Sequence, residues 1–336
     1  MDPLSHESLC ASESFGVDRC LFELSGKELS VVDQRVIQAA KAHFGTILEE
    51  QLKRVERLKK EGDWVDYSGL DTVVIGILAG DGIGVSIAAE AQRVLAHLLK
   101  DDLHQGRVEF RVIDGLTIEN RARNLQAIPE DVLEEIKKCH VTLKGPTTTP
   151  ELGDGWPNID SANVAMRKEL DLFANVRPVH IPSEGIDWTF FRENTEGLYA
   201  LGSRGFHATP DLAVDFRVVT SQGSERIIDA AFAYAKRTGR TSVTVVTKAN
   251  IIKATDGKFL DVARAVAERY PGIEWQGWYV DIMAAKLLDS KRRAEFQVFV
   301  LPNLYGDILT DEAAQMQGGV GTAGGANIGK RHAMFE

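Results

Sequence analysis

Cysteine is nearly missing from this chain: three residues in 336, Cys10, Cys20 and Cys139, too few and too scattered for a disulfide framework or a thiolate metal site. Reduced thiols in a cytoplasmic protein are the expectation that follows. No apolar run approaches the roughly 20 residues of a membrane-spanning helix. The best, Val73 to Ala79, is strand-length, so no membrane association is expected. The opening stretch MDPLSHESLCASESFG holds acids and no apolar segment, which argues against a secretory signal or an Arg-rich transit peptide. Positive charge is also in deficit. Lys and Arg total 39 against 49 Asp and Glu, a net charge of −10, which speaks against a nucleic-acid or anionic-membrane binder. A local basic pocket for a small anion stays compatible with that balance. The eight histidines form no H-x-x-x-H pair, and neither a G-x-S-x-G elbow nor a Walker A loop is present. No internal repeat is evident.

What is there is an ordinary globular composition, 44% apolar and 26% charged. At roughly 150 residues per domain the length suggests about two domains. Residues 1–28 mix polar and small side chains without periodicity. Residues 30–61 then carry Val32, Val36, Ala40, Phe44, Ile47, Leu48, Leu52, Val55 and Leu58 at three- and four-residue steps, which predicts one helix or a kinked pair broken at Gly45. Its stripe Val32/Val36/Phe44/Ile47/Leu48 is expected to pack on the main body or on a partner subunit. From Thr72 onward strand-like runs (72–78, 108–113, 141–145, 189–193, 242–247, 274–280, 296–301) alternate with amphipathic stretches (85–99, 129–139, 162–173, 224–238, 257–270, 282–291, 308–317). That alternation predicts an α/β fold with a largely parallel sheet, whose ligands collect beyond the carboxyl ends of strands. Residues 197–221, with LYALG and LAVDFRVV around a His-Ala-Thr-Pro-Asp turn, read instead as a β-hairpin or arm.

Two glycine motifs mislead. Gly80-Asp81-Gly82-Ile83-Gly84 follows a strand and opens a helix, but its spacing is not G-x-G-x-x-G. Gly319-Val320-Gly321-Thr322-Ala323-Gly324 has that spacing but follows a helix, so the context of a dinucleotide turn is absent. Asp307 and Asp311 are the sharpest chemical feature: they lie four apart beyond a strand's carboxyl end, near the start of a helix. Such a pair suits Mg²⁺ or Mn²⁺, or equally caps the helix and favours its dipole. Ser161, at a helix N-cap position, with Asn163 and Arg167 on one face, makes a carboxylate receptor, to which Arg177 and Arg192 add two further clamps. Lys248 and Asn250 follow another strand; a lysine beside a metal serves as a base, and Tyr199 as a proton donor, though each alone also reads as an ordinary residue.

At these residues the sequence resembles the isocitrate and isopropylmalate dehydrogenase family, the decarboxylating β-hydroxyacid dehydrogenases, closest to its NAD-dependent isocitrate members. From about Val73 to Glu336, LAGDGIG, KGPTTTP, S-x-N-x-x-x-R with LFANVRP, RENTEGLY, TKANIIK, PNLYGDILTDE and GGVGTAGGANIG match in order. The resemblance implies a two-domain α/β fold that is not a Rossmann fold, here with a helical N-terminal extension (1–70). A large domain (71–172 plus 318–336) and a small domain (173–317, arm at about 197–221) would enclose a cleft completed by the second subunit of a homodimer. It also implies oxidative decarboxylation of isocitrate to 2-oxoglutarate and CO₂, with Mg²⁺ or Mn²⁺ and NAD, or NADP. Ser161 and Asn163 match the pair that holds the γ-carboxylate of isocitrate, where isopropylmalate enzymes carry Glu and Leu. Arg167, Arg177 and Arg192 match the carboxylate clamps, Tyr199 and Lys248 the catalytic pair, Asp281, Asp307 and Asp311 the metal aspartates, and Thr149 and Asn250 positions near substrate and nicotinamide. Lys248 and Asp281 would act in the neighbouring subunit's site. A sister enzyme acting on isopropylmalate, homoisocitrate or tartrate, and a non-catalytic regulatory subunit, are the alternatives. Three departures stand out: the extension, two additional residues between Asp281 and Asp307, and an end at Glu336 before the family's His-Gly-x-Ala-Pro loop, which reads as a chain incomplete at its C-terminus.

Overall fold

The structure, a computed structural model, describes residues 33–336 except Glu61 and Leu152. Cys10, Cys20 and Val32 lie outside the described residues. Helix α1 (Gln34–Lys59) opens the described chain, capped by Asp33, whose carboxylate accepts from the Arg35 N–H at 2.8 Å. Arg57 and Lys59 end it, where cations favour the helix dipole. It runs through Gly45 without a break, so the kinked pair is not formed. Its stripe packs by one edge: Ile47 and Leu58 are buried, whereas Phe44 and Leu48 stay nearly half exposed. Phe44 still stacks on Phe216, with ring centroids 5.7 Å apart.

Strands and helices then alternate: β1 (Val73–Leu78), α2 (Gly84–Leu98), α3 (Lys100–His104), β2 (Val108–Val112), α4 (Ile118–Asn124), α5 (Glu130–Lys137), β3 (Val141–Lys144) and α6 (Ala162–Glu169). The chain continues through β4 (Ala174–Ile181), β5 (Ile186–Glu193), β6 (Phe206–Thr209), β7 (Leu212–Val214), α7 (Ser221–Thr238) and β8 (Ser242–Thr247). After α8 (Thr255–Ala267) come β9 (Glu274–Tyr279), α9 (Val280–Leu288), β10 (Val298–Leu301), α10 (Asn303–Gln317), β11 (Ala326–Ile328) and β12 (Ala333–Phe335). Ten strands form one sheet in the order β2-β1-β3-β12-β11-β4-β5-β10-β8-β9. The sets β2-β1-β3-β12 and β5-β10-β8-β9 are each parallel inside, as the alternation predicts. Three antiparallel pairings join them through β11 and β4, so the two sets run in opposite senses.

The mixed centre departs from the sequence expectation. β4 interrupts its apolar pattern with Arg177, Pro178 and His180, and β11 and β12 are three residues each. The hairpin is also shorter than expected. β6 and β7 pair, a single antiparallel bridge joins Gly197 to Val218, and Tyr199–Arg204 forms 3₁₀ turns rather than a strand, because Gly197 at φ +80° redirects the chain just before them.

Burial explains the glycines that mimic a dinucleotide turn. A Cβ on Gly80 would lie 2.1 Å from the Pro146 carbonyl oxygen, and one on Gly145 would lie 2.1 Å from that of Ala79. These glycines let two strand-end turns touch backbone to backbone. The core divides near residue 172. Leu78, Leu116, Ile136, Met166, Leu172 and Met334 belong to one cluster. Phe173, Phe191, Ile227 and Phe259 form a second, and Trp188, Phe190 and Phe299 a third, with the last two rings stacked at 4.5 Å. Among the described residues, no helix is long and apolar enough to cross a membrane.

Candidate functional site

Because β5, β10, β8 and β9 are parallel neighbours, their carboxyl ends share one edge of the sheet. Arg192 stands near the end of β5 and is almost completely buried. Its Nε and Nη2 donate to Asn303 Oδ1 at 3.0 and 2.7 Å, and its Nη1 donates to Asp307. Burial lowers the Arg192 pKa, Asp307 works against that, and neighbouring Arg167 and Arg177 lower it further. Gly306 makes this packing possible, since a Cβ there would lie 2.5 Å from Arg192 Cγ.

The Tyr199 hydroxyl donates to the other Asp307 oxygen at 2.5 Å, and its ring lies 5.3 Å from the Arg192 guanidinium. Desolvation first, and the Asp307 carboxylate next, push the phenol above its ordinary pKa, so it keeps its proton at neutral pH. One turn along α10, Asp311 accepts from Arg177 Nη1 at 2.7 Å. The same nitrogen donates to Thr310 Oγ1 at 3.1 Å. α10 begins at Asn303, five residues before the expected 308, and its first turn holds no acid. Asp307 and Asp311 therefore do not cap it, and the capping alternative falls.

Helix α6 carries the second group. Ser161 occupies the N-cap with extended backbone, yet its hydroxyl makes no capping hydrogen bond. Asn163 Oδ1 accepts from Thr147 Oγ1 at 3.5 Å. Arg167 Nη2 donates to Glu336 Oε1 at 3.2 Å, while its buried Nε has no hydrogen-bond partner. A buried N–H without an acceptor is costly. Since the charge of Arg167 is felt at both Arg192 and Tyr199, the sequence-predicted Arg167, Arg177, Arg192, Tyr199, Asp307 and Asp311 share one neighbourhood.

Lys248 and Asp281 make a separate pair. Lys248 Nζ donates to Asp281 Oδ1 at 2.5 Å, which holds that carboxyl below its usual pKa. Among the described residues, no hydrogen bond or ion pair joins these two to Tyr199 or Asp307. The buried Asp256 fixes the turn by accepting from the Lys248 backbone N–H at 2.6 Å and pairing with Arg217 at 2.6 Å. Asn250 is exposed beyond it, and Thr149 is exposed in the loop after β3. Buried Arg121 holds that loop through the Thr148 and Asp160 carbonyls at 2.7 and 2.9 Å, and Asp81 accepts from the Thr148 N–H at 2.7 Å.

Sequence reasoning passed over Asn303, Arg121, and a buried acidic pair just before Tyr199 in the chain. Asn303 had a signal in its place after Pro302 at a strand end; the others depend on contacts remote in sequence. Glu193 and Glu196 are both buried. Glu193 accepts from the Thr195 and Glu196 N–H groups at 2.8 and 2.7 Å, and burial, then the charge of Glu196, push its pKa up to about 7. An unfolded Glu titrates near 4.3. Between about 4.3 and 7 the folded chain therefore holds a proton that the unfolded chain has released, and stability falls as pH rises through that window. Glu193→Gln, which mimics the protonated form, is expected to flatten the fall. Urea unfolding at pH 5 and pH 7.5 checks it; an undiminished slope in the variant contradicts the assignment.

Carboxylate oxygens are the donors a hard divalent cation takes, and Asp307 and Asp311 offer two from one helix face. No three His, Cys, Asp or Glu side chains converge into a metal-binding group among the described residues. Asp281, the third acid of the sequence expectation, is paired with Lys248 and makes no hydrogen bond or ion pair with Asp307 or Asp311 among the described residues.

Comparison with known proteins identifies the family of the fold that carries these residues. The sequence model of the isocitrate/isopropylmalate dehydrogenase family matches residues 74–336. A 3-isopropylmalate dehydrogenase from Methanothermobacter thermautotrophicus is 39% identical over 273 residues, covering 80% of this chain and 77% of that protein. Subunit 2 of the mitochondrial NAD isocitrate dehydrogenase of Schizosaccharomyces pombe is 36% identical over 270 residues, covering 78% and 67%. The crystal structure of isocitrate dehydrogenase from Methylococcus capsulatus superposes with a TM-score of 0.67 at 37% identity, covering 79% of this chain and 77% of that one.

Proposed function

Since the chain belongs to the isocitrate/isopropylmalate dehydrogenase family, we propose that it oxidises and decarboxylates isocitrate to 2-oxoglutarate and CO₂, with NAD ahead of NADP as the hydride acceptor. The observation that carries this reading is the free capping position of Ser161: a hydroxyl at a helix N-terminus with no capping hydrogen bond, on the same short helix as Arg167 and its partnerless Nε. That end of α6 suits a third substrate carboxylate, with the helix N–H groups and dipole adding to the attraction. An alkyl substituent, as in isopropylmalate, would meet the polar Ser161 and Asn163 there.

In this reading Arg167, Arg177 and Arg192 hold the two carboxylates next to the reacting carbons. Asp307 and Asp311, with Asp281 from the second subunit of a homodimer, would hold Mg²⁺ or Mn²⁺. When bound, the cation supplies Lewis-acid polarisation and the nicotinamide supplies the hydride acceptor. Thr149 and Asn250 lie on exposed loops suited to the cofactor's nicotinamide end. Lys248 of the second subunit takes the hydroxyl proton as the alcohol becomes a ketone. The β-keto acid then loses its middle carboxylate as CO₂, and Tyr199 gives its proton to the carbon left behind. The division of the core near residue 172 supports a large domain of 71–172 plus 318–336 and a small domain of 173–317. The low cysteine content favours a cytoplasmic enzyme.

The test is a substrate panel of isocitrate, homoisocitrate and 3-isopropylmalate with Mg²⁺ and NAD or NADP, run on wild type and on Ser161→Glu with Asn163→Leu. Isocitrate is expected to be turned over best, and the double variant to lose at least ~100-fold in isocitrate kcat/KM, because a carboxylate placed against the substrate's own repels it. Preference of the wild type for 3-isopropylmalate, or an unchanged kcat/KM in the variant, overturns the substrate assignment.

A further inference from the structure

Helix α1 lies outside the family-matched residues 74–336, yet its polar contacts fall on the segment that carries Tyr199. Arg54 Nη1 donates to Glu196 Oε1 at 2.7 Å, and its Nη2 donates to Thr195 Oγ1 at 3.3 Å. Farther up the helix, the Glu50 carboxylate accepts from Arg204 at 3.0 Å, and His43 Nε2 lies 2.9 Å from the Arg204 carbonyl oxygen. We infer that Arg54 is a positioning residue for Tyr199, acting through the buried carboxylate of Glu196. The inference rests on reading Tyr199 as the proton donor.

The argument turns on what Glu196 needs. Its side chain is 2% exposed, and that of Arg54 is 16% exposed, so the pair is screened little by water. Glu196 also accepts from the Thr220 N–H at 2.8 Å and the Thr220 hydroxyl at 2.6 Å, which ties the segment to the start of α7. A Cβ on Gly223 would lie 2.2 Å from Glu196 Oε1, so the carboxylate is boxed in against α7. Without Arg54, a buried anion keeps its two hydrogen bonds but loses its paired cation, next to an acidic neighbour, Glu193. Movement of the segment 195–199 relieves that unpaired charge, and Tyr199 moves with it. Displacement of a reacting group by about 1 Å is enough to cost on the order of 100-fold in rate. Arg167, Arg177 and Arg192 make no hydrogen bond or ion pair to Arg54 among the described residues, so substrate affinity is expected to hold.

The test compares Arg54→Met, Arg54→Lys, Arg54→Met with Glu196→Gln, and Tyr199→Phe, each in the full chain and with whichever panel substrate the wild type turns over. Arg54→Met is expected to lower kcat by ~10- to 100-fold, with KM changed less than about threefold and a larger solvent deuterium isotope effect on kcat. Arg54→Lys restores much of the rate because it returns a cation. The double variant does the same because a neutral amide at 196 no longer needs one, and it gives a reading where Arg54→Met alone fails to fold. A kcat for Arg54→Met within twofold of wild type, beside an inactive Tyr199→Phe, overturns the role of Arg54 and leaves that of Tyr199 standing. A double variant no better than Arg54→Met shows a merely structural contact and also overturns it. Full activity in Tyr199→Phe removes the proton-donor reading, and this inference with it.

Discussion

Asp307→Asn is expected to lower turnover by roughly 1,000-fold at ordinary Mg²⁺. The magnitude follows from how many roles meet on one carboxylate. Asp307 accepts from the buried Arg192 through one oxygen and from the Tyr199 hydroxyl through the other, at 2.5 Å. It is also one of two acidic oxygen donors on this face of α10. Removing its charge weakens cation binding, leaves the Arg192 guanidinium without its anion, and loosens the partner of Tyr199. Arg192 keeps Asn303, so the fold is expected to survive with a lowered Tm. Asp311→Asn makes the contrast. Its pair with Arg177 is more open, with side-chain exposures of 56% and 21%, so activity should fall while Tm moves little. Activity titrated against Mg²⁺ and Mn²⁺, alongside thermal melts, separates the two effects. Near-normal turnover of Asp307→Asn at ordinary Mg²⁺ removes the metal assignment.

The outer parts of this fold were legible because their physics is local. β1, β8 and β10 are apolar runs beside amphipathic helices, and period alone finds them. The centre was not. β4 carries Arg177, which pairs with Asp311, and exposed His180, which faces Asp187, so charged side chains break the apolar pattern that would reveal a strand. β11 and β12 exist by pairing with β4 and β3, which no window of their own sequence encodes. α10 starts at Asn303, earlier than its amphipathic stretch shows, because proline can lead directly into a helix.

The candidate site divides in the same way. Asp307, Asp311 and Arg167 lie on helices, where four-residue spacing fixes which side chains share a face. Arg192, Arg177 and Tyr199 join them only through the packing of β4, β5 and α10. Arg54 is beyond the reach of such reasoning. It is separated from Glu196 by 142 positions, and its helix shows an ordinary alternation of charges at that end.

Two inactive chains are expected to make an active enzyme when mixed. Lys248 is paired with Asp281 beyond β8 and β9, whereas Tyr199 is paired with Asp307 beyond β5 and β10. Under the proposed function each pair is half of a site, and a twofold axis would bring the lysine half of one copy to the tyrosine half of another. Tyr199→Phe and Lys248→Met should each lower kcat by ~100-fold or more, the usual size of a lost general acid or base. In a mixed dimer, one site inherits both substitutions and the other inherits neither. Random re-pairing of equal amounts makes half the dimers mixed, so activity should return to about a quarter of wild type. Mixed dimers isolated by two different affinity tags should reach about half. Were Lys248 to serve the Tyr199 of its own chain, every site in the mixture would carry one substitution and no activity would return, whatever the ratio. A recovery that peaks at equal proportions and disappears when either chain is in large excess identifies the shared site. Its absence, with mixed dimers demonstrably present, places Lys248 in the same site as the Tyr199 of its own chain.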